Sequence, residues 1–233
     1  MTESNRYWAV VPAAGVGRRM GGDIPKQYLS LNDRSVIEHT LDRLTGHAAI
    51  SKVLVALAVD DGWWSETSFA NHADVVRVDG GVERCHSVLN VLQRLGEFAD
   101  DRDWVLVHDA ARPCLRANDI DRLIEQLSEH PVGGLLGMPV RDTMKRADGS
   151  GQVKDTVCRE NLWHAFTPQM FRLGPLRDAL STALEQGSLV TDEASAMELA
   201  GQPPMLVEGH PDNIKITRPE DLPLAAFYLS QQG

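Results

Sequence analysis

Five short apolar runs constrain this chain more than any other feature: Tyr7–Val11, Val53–Val59, Val75–Val78, Trp104–Val107 and Val132–Met138. Each is nearly unbroken in hydrophobicity, the pattern of a strand covered on both faces. Between them come stretches with apolar residues at helical spacing. Val36, Ile37, Leu41 and Leu44 form one stripe, and Val88, Leu89, Leu92 and Leu95 a second. A third, opened by Asn118 as N-cap, holds Ile120, Leu123, Ile124 and Leu127. Strand, loop and helix repeated in this order predict an α/β fold of Rossmann-like type, a mainly parallel sheet with helices on both faces. With 233 residues and no internal repeat, the chain can bury a sizeable core and is expected to form a single domain, residues 1–233.

The loop after the first run carries the clearest chemistry. The strand stops at Pro12, and Ala13, Ala14, Gly15, Val16 and Gly17 follow with little side-chain bulk. Arg18, Arg19 and Lys26 come next. Bare peptide lets main-chain N–H groups close on an anion, and fixed cations beside them neutralise its charge. The dinucleotide fingerprint is excluded because Met20 stands where its third Gly belongs. A P-loop is excluded because Lys26 lies between Pro25 and Gln27. Two readings remain, a polyphosphate cradle or a plain Gly-rich turn with solvated arginines.

Later loops repeat the theme. Asp79-Gly80-Gly81 lies at a strand-to-helix junction, with Ser87 a few residues on. The strand Trp104–Val107 ends in His108-Asp109-Ala110-Ala111-Arg112-Pro113. A carboxylate at the carboxyl end of a parallel strand can hold Mg²⁺ near phosphates, or Asp109 can pair with Arg112 to brace the loop. His108 reads as a hydrogen-bonded loop residue and Cys114 as core, while Trp63 and Trp64 read as packing residues in a short helix or loop.

Residues 139–159 break the rhythm. Thr143–Arg146 and Val153–Val157 flank Asp148-Gly149-Ser150-Gly151, a hairpin arm with too little apolar surface to stand alone. Either it crosses to a second subunit in a two-fold dimer or it is a surface hairpin on a monomer. Beyond it, Asn161–Phe171 includes Trp163, Phe166 and Thr167-Pro168-Gln169. Pro175 opens a helix ended by Gly187, and Thr191 caps a helix from Asp192 to Ala200 in which Asp192 and Glu193 act as macrodipole partners. Met205–Glu208 and Asn213–Ile216 read as late strands, with Thr217-Arg218-Pro219-Glu220 a capping box that opens the terminal helix with Pro at its first position.

Composition excludes several classes. A net charge of −10 disfavours general nucleic-acid binding and makes the local cation cluster stand out. Three widely spaced cysteines, Cys85, Cys114 and Cys158, with no CxxC pair, suggest a reduced cytoplasmic protein without disulfide or zinc scaffolding. No secretory signal and no membrane-spanning run is evident.

The stretch from Pro12 to Met20, with Pro25-Lys26-Gln27-Tyr28, resembles the signature of the nucleotidyltransferases that activate sugar phosphates. More narrowly, it resembles the 2-C-methyl-D-erythritol 4-phosphate cytidylyltransferase family of the non-mevalonate isoprenoid pathway. VLVHDAARP at 105–113, PVRDTMKR at 139–146, TDEASA at 191–196 and NIKITRPED at 213–221 carry the same likeness. The resemblance implies a nucleotide-diphospho-sugar transferase type of fold, transfer of CMP from CTP to methylerythritol phosphate with release of pyrophosphate, Mg²⁺ as cofactor, and a homodimer built through the arm. It implies that Arg19 and Lys26 stabilise the transition state. Ala13, Ala14, Gly15, Gly17, Gly80, Gly81, Ser87, Asp109 and Ala110 would bind the nucleotide, with Asp109 also meeting the metal. Arg112, Thr143, Arg159, Thr167 and Lys215 would receive methylerythritol phosphate, with Thr143, Arg159 and Thr167, on the arm and its root, serving the neighbour's site. Lys215 reads alternatively as a solvated edge lysine, and Val82 stands where the family often has an acidic residue. The nucleophile is already an anion, so no general base is required. Alternatives are transfer to another polyol phosphate such as ribitol 5-phosphate, a non-catalytic nucleotide-binding dimer and, more remotely, an oxidoreductase.

Overall fold

The computed structural model describes residues 6–15 and 24–232. Gly17, Arg18 and Arg19 of the loop after the first strand lie outside the described residues. In chain order the elements are β1 (Tyr7–Pro12), β2 (Ser30–Leu31), β3 (Arg34–Ser35), α1 (Val36–Thr45), β4 (Ile50–Leu57), β5 (Val75–Asp79) and α2 (Arg84–Leu95). They continue with β6 (Trp104–Val107), α3 (Ala117–Leu127), β7 (Gly133–Pro139), β8 (Met144–Ala147), β9 (Val153–Val157) and β10 (Trp163–Arg172). The chain closes with α4 (Leu173–Glu185), α5 (Glu193–Leu199), β11 (Met205–Glu208) and α6 (Asp221–Gln231).

Seven strands form one sheet in the order β11-β7-β10-β6-β1-β4-β5. Neighbours are parallel except where β10 runs antiparallel between β6 and β7. Successive residues of β1 serve opposite faces. Ala9 and Val11 meet α1 and α3 through Ile37, Leu41, Ile120 and Leu123, while Trp8 and Val10 meet α2, α4 and α5 through Val88, Leu92, Leu176 and Met197. Helices on both faces explain why the central strands are continuously apolar.

From β1 the chain steps to β4 and β5 on one side, then returns to place β6 on the other. Strand order therefore reverses between β1 and β6. Loops leaving neighbouring strands diverge at such a point and open a crevice beyond the carboxyl ends.

Several expectations need correction. The predicted strand Val53–Val59 starts earlier and stops at Leu57, leaving Val59 in solvent. Asn161–Phe171 contains β10, which its polar and Pro-containing sequence concealed. Asn213–Ile216 is not a strand, because its main chain bonds to a loop instead of a ladder: the Ile216 N–H donates to Ala111 O at 2.8 Å. Helix α3 is capped at Arg116, not Asn118, and α5 at Asp192, not Thr191. Asp192 Oδ1 accepts the Ser195 N–H at 3.0 Å. At α6, Thr217 donates its N–H and hydroxyl to Asp221, 2.8 and 3.0 Å away. The reciprocal acid is thus Asp221, and Pro219 precedes the helix. Pro175 lies within the first turn of α4, which begins at Leu173.

Strands β8 and β9 pair only with one another and are exposed almost throughout. Their turn is tied by Asp148 Oδ1, which accepts the Ser150 N–H at 2.9 Å and the Gln152 N–H at 3.1 Å.

Candidate active site

The crevice beyond β1 and β6 is a cleft of about 270 Å³ lined from five segments. Pro12 to Gly15 supply one wall, Gly81 to Arg84 and Ser87 a second, and Asp109 to Ala111 the floor; Lys26, Gln27 and Lys215 complete it.

Each wall has a local cause. The Ala13 N–H donates to Ala56 O at 2.8 Å and so prolongs the sheet, leaving Ala14 and Gly15 as this segment's main-chain donors for a ligand. Buried Gln27 grips the same segment from its carbonyl side, donating Nε2 to Ala13 O at 2.7 Å and Gly15 O at 3.2 Å. Gly80 lies behind Ala14 and not on the cleft wall. A Cβ there would come within 2.4 Å of the Ala14 Cβ, so only Gly admits this approach. Gly81 does line the cleft, and its N–H donates to Ser87 Oγ at 3.0 Å. The short 3-10 turn Lys26–Tyr28 delivers Lys26, whose Nζ donates to Ile216 O at 3.2 Å.

Asp109 is the hub. Its Oδ1 lies 3.1 Å from Arg84 Nε, and its Oδ2 lies 2.8 Å from Lys215 Nζ and 3.7 Å from Arg112 Nε. Lys215 therefore faces the cleft and is not the solvated edge lysine. Burial alone would raise the Asp109 carboxyl, but Arg84, Lys215 and Arg112 outweigh it and hold the group well below the usual carboxylate range. Arg84 also forks onto buried Glu193, with contacts of 2.7 and 3.1 Å. Burial opposes its charge, yet Glu193 and Asp109 raise its pKa further. Glu193 stands in the first turn of α5, as a helix-dipole partner would, and is in addition a charge partner of Arg84 inside the protein.

His108 is fully enclosed, and burial pushes it down to about 4, leaving a neutral ring at neutral pH. Its Nε2 lies 3.0 Å from Arg112 O, which can only accept, so Nε2 carries the proton. Nδ1 then accepts from Thr167 Oγ1 at 3.0 Å, and that oxygen accepts the Asp109 N–H at 3.1 Å. Arg112 is buried, which lowers its pKa despite Asp109. It donates to Asn213 O at 2.7 Å and lies over the Phe166 ring, 5.1 Å from the centroid. Asn213 Nδ2 donates to Thr167 O at 2.8 Å and ties the Lys215 segment to β10.

The expected residues thus converge at Lys26, Lys215, Asp109, Ala110, Gly81, Ser87 and the bare segment after β1, with Arg112 and Thr167 immediately behind Asp109. Thr143 and Arg159 do not join them: both are exposed at the ends of the arm, and Arg159 bonds to the Arg141 carbonyl. Sequence reasoning missed Gln27, Arg84 and Asn213. Gln27 sat inside the quoted PKQY signature and Asn213 opened another, so the motifs pointed to them without giving roles.

This geometry has relatives. The family model for 2-C-methyl-D-erythritol 4-phosphate cytidylyltransferase matches residues 7–231. The chain is 56% identical over 224 residues to the protein of that name from Vibrio vulnificus strain CMCP6, covering 96% of this chain and 94% of the relative. It is 54% identical over 227 residues to the one from Hahella chejuensis, covering 97% and 94%. Among solved structures, a 4-diphosphocytidyl-2C-methyl-D-erythritol synthase superposes with a TM-score of 0.85 at 36% identity, covering 97% of this chain and 100% of that one. The Francisella tularensis 2-C-methyl-D-erythritol 4-phosphate cytidylyltransferase gives 0.84 at 36%, covering 96% and 99%.

Proposed function

This chain belongs to the 2-C-methyl-D-erythritol 4-phosphate cytidylyltransferase family, and we propose that the cleft beyond β1 and β6 is where it joins its two substrates. It transfers CMP from CTP to 2-C-methyl-D-erythritol 4-phosphate in isoprenoid precursor synthesis. The observation that carries the assignment to this cleft is the gathering of Lys26, Arg84 and Lys215 beside bare peptide in an acidic protein.

The acceptor phosphate attacks the α-phosphorus of CTP in line, and pyrophosphate leaves. Because the nucleophile is already charged, the barrier lies in bringing anions together and stabilising charge as it builds. Ala14 and Gly15 offer N–H groups to the triphosphate, and Lys26, with Arg19 as a second cation, offsets the developing charge. Lys215 and Arg112 attract the acceptor phosphate. No group need take a proton, in keeping with a neutral, enclosed His108.

Among the described residues no group of three or more His, Cys, Asp or Glu side chains could hold a metal ion. Asp109 offers one ionised carboxylate at the cleft floor, which fits a Mg²⁺ that draws its other ligands from phosphates and water. Held there by Asp109, such an ion would neutralise part of the phosphate charge.

The arm belongs to a homodimer in this reading. Its exposed strands, with Met144 and Val153 bare, need a partner surface, and Thr143 and Arg159 would reach acceptor phosphate in the neighbour's cleft. The proposed cytoplasmic location rests on three free cysteines. No helix of the described residues is long and apolar enough to cross a membrane.

Purified protein with CTP, Mg²⁺ and 2-C-methyl-D-erythritol 4-phosphate should release pyrophosphate, and Lys26→Ala should abolish most of that release. Equal release with ribitol 5-phosphate would refute the acceptor assignment. Full release from the Lys26 variant would refute the placement of the site.

A further inference from the structure

A cleft meant for a triphosphate would gain nothing from setting a buried carboxylate against one of its own arginines. Yet Glu193, 1% exposed, takes the whole fork of Arg84, Nη1 to Oε1 at 2.7 Å and Nη2 to Oε2 at 3.1 Å. The Nε N–H serves the cleft side, donating to Asp109 Oδ1 at 3.1 Å. Glu193 is itself mounted firmly. The next N–H, that of Ala194, donates to Gln169 Oε1 at 2.8 Å, and Gln169 Nε2 donates to Asp192 Oδ2 at 3.0 Å. Gln169 lies on β10, two residues beyond Thr167.

We propose that Glu193 is a positioning residue for the transfer reaction: it holds the Arg84 fork turned away, so that Asp109 receives one N–H from Arg84 and keeps its second oxygen toward Lys215. The inference rests on the assignment of Asp109 to the reacting cleft. A guanidinium fork matches a carboxylate with two parallel N–H bonds. Without Glu193 the fork would close on Asp109, already within hydrogen-bond distance, or reach for the ligand's phosphates. The first outcome draws Asp109 Oδ2 away from Lys215. The second strengthens ground-state binding without aiding the transition state, and lowers KM and kcat together. Partners that orient a site's primary groups in this way typically account for about ten- to hundredfold in activity.

The test compares wild type with Glu193→Gln, Glu193→Asp, the double variant Arg84→Met/Glu193→Met, and Asp109→Asn. Each is assayed for kcat, for KM of CTP and for thermal melting. Glu193→Gln keeps the shape and loses the charge. Its kcat should fall about ten- to hundredfold with KM for CTP unchanged or lower, and Glu193→Asp should recover part of that loss. The double variant replaces the buried ion pair with apolar groups, which a fold commonly tolerates, so it covers the case in which Glu193→Gln fails to fold. It should lose kcat too, because Asp109 then receives no N–H from Arg84, but with no fork left to reach the phosphates its KM for CTP should not fall. Wild-type kcat and KM in whichever of these two variants is folded, even with a lowered melting temperature, would overturn the proposal and leave a structural ion pair. Asp109→Asn separates the premise: wild-type kcat there would mean that the assignment of Asp109, and not of Glu193, is at fault.

Discussion

At the scale of single residues, Lys26 and His108 make opposite predictions. In the proposed reaction Lys26 supplies charge to the transition state, and removing one such donor costs about a hundred- to a thousandfold in rate. Lys26→Ala should therefore lose turnover by about that factor while its melting temperature stays close to wild type, read by pyrophosphate release and calorimetry. His108 matters to stability instead. Above its ordinary value of 6.5 the ring is neutral in both the folded and unfolded chain. As pH falls, the unfolded ring takes a proton that burial denies the folded ring until about 4. Its contribution is fully present above 6.5 and lost on the way down to about 4, so the urea midpoint should fall across that window. A midpoint flat from about pH 7 to 4.5 would contradict this.

At the scale of elements, the decisive join is between the loop after β1 and the end of β5. Gly80→Ala would place a Cβ against Ala14 and within 3.1 Å of Leu57 O. Activity should fall by more than stability does, because the displaced backbone is the phosphate wall; equal kcat in a folded variant would refute it. Helix α1 makes a milder case. Glu38 accepts from the Ser35 N–H and hydroxyl and also from the Ser68 N–H and hydroxyl. Ser35→Ala should cost about 1 kcal/mol by chemical denaturation. The parallel strands and helices α1 to α3 were legible because burial on both sheet faces leaves continuous apolar runs, and β1 with its bare loop was legible for the same reason. β10 was not, because Pro168 interrupts its middle between Thr167 and Gln169, whose polar groups are spent on Asp109, Asn213 and α5. The Arg84 contact of Glu193 was not legible because a carboxylate in a first helical turn has the same local signature whether it faces water or an arginine from a helix more than a hundred residues earlier.

At the scale of the whole molecule, the arm should separate folding from function. Its strands bury almost nothing in the rest of the chain. Replacing residues 143–157 with a short Gly-Ser link should leave the melting temperature nearly unchanged, turn a sedimenting dimer into a monomer, and abolish transfer to the acceptor while CTP still binds. A truncated chain that remains dimeric, or a monomer with full turnover, would rule out the arm's proposed role. The arm's return path adds something to this. Chain leaving β9 runs into β10, whose centre presents Thr167 to both His108 and the Asp109 amide. β10 thus joins the hairpin to the floor of the cleft, and in the proposed dimer a neighbour seated on the arm would bear on Asp109 through Thr167.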